Sequence, residues 1–203
     1  MNWVKRLFLL VILCAASVVA LLLFQSGPPG APELRAGVAL EAPRVVDGFE
    51  LVDHNGVAFG PDNLRNGWNL IFIGFSHCPD VCPATLHVLG RVDERLRDQG
   101  RALNTVFVSV DPERDTPEVL SEYVGHFGDH VAGVTGAHDQ LEVFSSRLDF
   151  AYVRVPGSAG RYTVDHSGAL ALVDPRARLV GYFLPPFDAD ALTDDLSAVI
   201  GGY

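Results

Sequence analysis

Residues 69–83 read Asn-Leu-Ile-Phe-Ile-Gly-Phe-Ser-His-Cys-Pro-Asp-Val-Cys-Pro. Asn69 to Phe75 is an uninterrupted apolar run, the pattern of a central strand covered on both faces. It leads directly into Cys78, and Leu86, Leu89, Val92 and Leu96 then recur at helical spacing, so a helix is expected from about Cys82 to Asp98. A buried strand that turns through two cysteines into a helix decides the reading of the whole domain.

Outward from this unit, Val45–Phe59 reads as two short strands around an Asn55-Gly56 turn. Thr105–Val110 is a second buried strand ending at Asp111, and Asp115-Thr-Pro-Glu118 opens a helix with Asp115 and Glu118 as capping groups. Val131–Val134, Phe150–Val155, Ala169–Val173 and Leu179–Leu184 read as strands, Asp139–Leu148 and Ala189–Ile200 as helices. This order predicts an α/β, thioredoxin-like sandwich with a central mixed sheet, antiparallel at one edge.

Leu7–Phe24 is an 18-residue run without a charge, long enough to cross a bilayer core, preceded by Lys5 and Arg6. The expectation is a cytoplasmic head at 1–6, a transmembrane signal anchor at 7–24, an extended proline-bearing linker at 25–43 and a folded domain at 44–203. That orientation puts the domain in the periplasm, anchored to a bacterial inner membrane. A cleaved signal peptide and lipidation of Cys14 are the competing readings: the former finds only a poor site at Gln25-Ser26-Gly27, and the latter has bulky Leu13 where a small residue is wanted. The net charge of −10 would repel phosphate backbones, which argues against nucleic acid as a partner.

Cys78 and Cys82 are the only cysteines of the folded part, too few for a disulfide scaffold. Four residues apart at a helix start, they could hold one soft metal ion, work as a redox dithiol, or lie inert in a core. A metal site needs a third donor from among seven histidines: His54, His77, His87, His126, His130, His138 and His166. His166 precedes an apolar strand in the second half of the sheet, on a loop that faces the cysteine loop in a thioredoxin fold. Chain order leaves it open between a ligand and a strand-start cap.

Three segments, FSHCPDVCP (75–83), SVDPERDTPEVLSEYV (109–124) and VDHSGALALVDP (164–175), resemble in order and spacing the Sco/SenC family of copper proteins. The resemblance spans about residues 40–202. It implies one copper ion, as Cu(I) or Cu(II), held by Cys78, Cys82 and His166, with Asp80 and Asp111 as supporting or partner-facing acids. It also implies a part in maturing the dinuclear copper centre of cytochrome c oxidase, whose copper-bearing subunit would be the partner, with a periplasmic copper carrier or thiol reductase as a further one. The alternative is a membrane-anchored thiol–disulfide reductase working through Cys78 and Cys82 alone. Peroxide reduction is a third reading, and zinc fits poorly because a closed structural site wants four ligands.

Overall fold

The computed structural model describes residues 34–202, together with isolated positions 3, 8 and 12. The head, the anchor and residues 25–33 of the linker therefore lie outside the described stretch. Among the described residues, no helix is long and apolar enough to cross a membrane.

The strands are β1 (Gly37–Val45), β2 (Leu51–Asp53), β3 (Ala58–Phe59), β4 (Asn69–Gly74), β5 (Asn104–Ser109), β6 (Val131–Thr135), β7 (Tyr152–Pro156), β8 (Tyr162–His166), β9 (Leu170–Val173) and β10 (Arg178–Phe183). The helices are α1 (Val81–Asp98), α2 (Pro117–Gly125), α3 (His138–Arg147) and α4 (Ala189–Gly201). Eight strands form one sheet in the order β1-β10-β9-β4-β5-β6-β2-β3, while β7 and β8 pair separately. The parallel trio β4, β5 and β6 is flanked by antiparallel strands on both sides, not at one edge.

All six residues of β4 are buried, as its apolar run requires. Side-chain alternation divides them between two cores. Ile71 and Ile73 join Phe49, Leu141 and Phe144 on the α3 side. Leu70 and Phe72 join Leu86 and Leu89 of α1, Leu120 of α2 and Leu192 of α4 on the other. Each such fully buried side chain contributes about 1.5–3 kcal/mol, so β4 is the strand least able to shift.

The folded domain begins earlier than residue 44. β1 pairs with β10 from Gly37↔Phe183 onward, and the main-chain N–H groups of Arg35 and Ala36 donate to the buried Asp195 carboxylate of α4 at 2.9 and 2.7 Å. Residues 37–43, expected as spacer, are thus part of the edge strand of the sheet, and residues 35 and 36 are tied to α4. Most of β1 is exposed or half-buried, so it lacks the apolar run that marks an inner strand.

Candidate metal and dithiol site

The site forms where β4 ends. Cys78 lies four residues beyond β4, its N–H donating to the Phe75 carbonyl at 3.1 Å. α1 begins at Val81 with Asp80 in the cap position, and Cys82 is its second residue. The Cys82 N–H points at the Cys78 sulfur, 3.4 Å away, so a donor of the helix's first turn faces a sulfur that would carry negative charge as a thiolate.

The two cysteines differ in environment. Cys82 is fully buried among the side chains of α1 and the sheet, and burial pushes its thiol far above the ordinary range. Cys78 is half-buried and touches both cores. Room for the Cys82 sulfur comes from Gly74, where an added Cβ would stand 2.8 Å from that sulfur and 2.7 Å from Phe107 Cε2.

His166 is not in a loop, as chain order suggested, but is the last residue of β8. Its ring meets Phe72 and Phe75 edge to face at 5.9 and 6.1 Å. Nδ1 lies 3.0 Å from the Ser167 carbonyl oxygen. That oxygen can only accept, so Nδ1 is the donor, and Nε2 is the ring nitrogen that can bind a metal in the neutral imidazole. Nε2 is 3.6 Å from the Cys82 sulfur. The donor atoms of Cys78, Cys82 and His166 all lie within 4.8 Å of one another, the one such three-donor group among the described residues. Ligands bonded at about 2.0–2.3 Å to one ion stand at most ~4.6 Å apart, so a slight contraction would let the three share an ion.

The other histidines stay outside. His77 is exposed, with Nδ1 3.0 Å from Ser76 Oγ. His54 lies against the Gly133 backbone, His87 meets Phe127 edge to face and His126 Nδ1 donates to the Glu122 carbonyl. His130 faces Asp93, and His138 faces Glu113.

Of the two supporting acids, Asp80 is exposed and makes no side-chain cap bond. Asp111 is fully buried; it accepts from the Tyr162 hydroxyl at 2.7 Å and pairs with Arg114. Asp115 is not a helix cap. Thr116 caps α2, accepting from the Val119 N–H, while Asp115 is fully buried beneath the cysteine loop. It accepts from the Ser76 N–H at 2.7 Å, from the Ser76 hydroxyl and from the Ser109 hydroxyl. Glu118, in the first turn of α2, has its carboxyl held below the usual range by a hydrogen bond with Thr116 and by the helix backbone. Sequence reading missed Asp115 because it adjoins Thr116, an equally good cap. Pro117 at the first helical position was the signal that favoured Thr116.

The fold and these side chains define a thioredoxin-like domain whose cysteine pair is joined by a histidine donor. The profile of the SCO1/SenC family matches residues 38–201, and the chain belongs to that family. An SCO2-like protein of Rickettsia felis is 31% identical over 184 residues, covering 90% of each chain. Copper-bound ScoI of Arabidopsis thaliana superposes with a TM-score of 0.74 at 32% identity, covering 78% of this chain and 100% of that one. Copper-bound yeast Sco1 gives a TM-score of 0.74 at 31% identity, covering 79% and 91%.

Proposed function

We propose that this protein carries one copper ion on Cys78, Cys82 and His166 and helps to mature the dinuclear copper centre of cytochrome c oxidase. The observation that carries the reading is the convergence of the three donors within 4.8 Å, with the His166 lone pair turned toward the Cys82 sulfur. Two soft thiolates suit Cu(I), and the added imidazole lets the site accept Cu(II) as well. Cys78 and His166 are half-buried whereas Cys82 is fully buried, so a partner's thiol or imidazole would displace one of the first two before Cys82. The reading includes anchoring by residues 7–24 in a bacterial inner membrane, with the domain in the periplasm and the oxidase's copper-bearing subunit as acceptor.

The test is copper titration of the full-length protein, reduced and oxidised, beside His166→Ala and Cys78→Ser. Reduced protein binds one copper per monomer, oxidised protein binds none, Cys78→Ser binds either copper ion far more weakly, and His166→Ala binds Cu(II) far more weakly. Unchanged stoichiometry and affinity in the variants would sink the proposal.

A second reading rests on the free, unequally buried thiols. As a thiolate, Cys78 would attack a substrate disulfide and release one substrate thiol. Cys82 would then attack the Cys78 sulfur, release the second thiol and leave a Cys78–Cys82 disulfide. The two electrons given to the substrate would be restored by an external dithiol. The raised Cys82 thiol opposes the second step, and nothing in it uses His166. Full activity of His166→Ala in cells would favour this reading.

A further inference from the structure

We infer that Tyr162 is the positioning residue for His166, clamping the tip of the β7–β8 hairpin so that the imidazole stays in the ligand set; this rests on the copper reading. The hairpin is a two-stranded sheet of its own, so side chains must fix its position on the domain. Along β8 the residues alternate, with Thr163 and Asp165 exposed and Tyr162, Val164 and His166 turned toward the body. Val164 is buried in the core. At the base, the Ser167 N–H donates to the Ala151 carbonyl at 2.9 Å.

The tip is held by charge. The Tyr162 ring lies between two guanidinium groups, with Arg114 Cζ at 3.9 Å and Arg154 Cζ at 4.2 Å from its centroid. Its hydroxyl donates to buried Asp111 at 2.7 Å, and its carbonyl accepts from Arg114 Nη1 at 3.3 Å. Arg114 also lies over the Phe75 ring at 5.6 Å, and Phe75 packs against His166. One guanidinium therefore joins the hairpin tip to the aromatic wall of the imidazole. Removing the Tyr162 side chain leaves both thiols where they are and loosens the histidine arm at its tip, where the Arg154 pairs with Asp111 and Glu113 and the Arg114 bond to the main-chain carbonyl of residue 162 remain. Cu(I), satisfied by two thiolates, should hardly notice, whereas Cu(II), which draws on the imidazole, should.

The test uses full-length protein carrying Tyr162→Ala, Tyr162→Phe, His166→Ala or Tyr162→Ala with His166→Ala. Cu(II) affinity of Tyr162→Ala is expected to fall at least about tenfold, the scale of one lost hydrogen bond to a charged acceptor. Its Cu(II) spectrum should move toward that of His166→Ala, while Cu(I) affinity stays within about twofold. Tyr162→Phe keeps the stacked ring and should fall between, so it decides the matter if Tyr162→Ala does not fold. The double variant should bind Cu(II) no more weakly than His166→Ala, the non-additivity of residues acting through one another. Wild-type Cu(II) affinity and spectrum in the Tyr162 variants would overturn the inference, as would a loss that persists in the His166→Ala background. Failure of the unaltered protein to bind copper would instead remove the reading beneath it, and this inference with it.

Discussion

Replacing Gly74 by alanine tests whether the site depends on a space shaped by β4. The new methyl would lie 2.8 Å from the Cys82 sulfur and 2.7 Å from Phe107 Cε2, against ordinary contacts of roughly 3.5–4 Å. The sulfur, the ring or the strand must give by nearly an ångström. β4, Phe107 and Cys82 are all buried, so none has open space beside it, and the single Sγ atom, which turns about one bond, is the smallest group to displace. Overpacking of this kind costs about 1–3 kcal/mol, which at about 2–4 °C per kcal/mol lowers the melting temperature of a domain this size by roughly 2–12 °C. Metal sites tolerate displacements of about 0.2 Å, so copper affinity should fall by more than the stability loss alone accounts for. Thermal unfolding by circular dichroism and copper competition titration read the two effects. Gly125→Ala is the control: a Cβ there meets nothing within 4 Å. If Gly74→Ala melts and binds copper like the unaltered protein while Gly125→Ala does the same, the steric reasoning is wrong.

Asp115→Ala leaves the Ser76 N–H and the Ser109 hydroxyl without their carboxylate partner. We expect a loss of about 2–4 kcal/mol in denaturant unfolding and weaker copper binding, and unchanged midpoints would refute the assigned role. The raised Cys82 thiol makes the reduced, metal-free protein less stable in alkali, because the unfolded thiol ionises while the folded one does not. Stability is complete below the unfolded thiol's ordinary range and falls above it, by up to about 1.4 kcal/mol per pH unit. Cys82→Ser should flatten unfolding free energy measured across pH 8 to 10. Asp195→Ala should speed amide exchange at Arg35 and Ala36, whose N–H groups it holds; unchanged protection would show that β1 needs no such anchor.

The sequence was most legible where burial is continuous. β4 and β5 stand out as continuous apolar runs and α1 by its helical period, and the expected bounds of each fall within a residue or two of the observed ones. β1 was missed because an exposed edge strand with Pro43 has no such pattern. β8 was missed because only Val164 among its five residues is buried. Local chemistry identified Cys78 and Cys82, whereas His166 was selected from seven histidines only by resemblance to a family. The parts that no local pattern could reveal are those made by contact across the chain. Gly74 matters because of a sulfur on the following helix, Asp115 because the cysteine loop folds over it, and Tyr162 because two arginines close on its ring.

The early start of the folded domain bears on how far its cargo can travel. Were residues 25–43 all spacer, their 19 residues could stretch to about 60–65 Å at roughly 3.3 Å each. With Arg35 and Ala36 fastened to Asp195, the sequence leaves nine residues, 25–33, between the apolar run and the fold, and nine residues span at most about 30 Å. Halving a leash cuts the volume it sweeps about eightfold and raises the local concentration of anything inside that volume in proportion. Under the proposed anchoring, a single carboxylate on the last helix would shorten the tether and favour recipients held in the same bilayer.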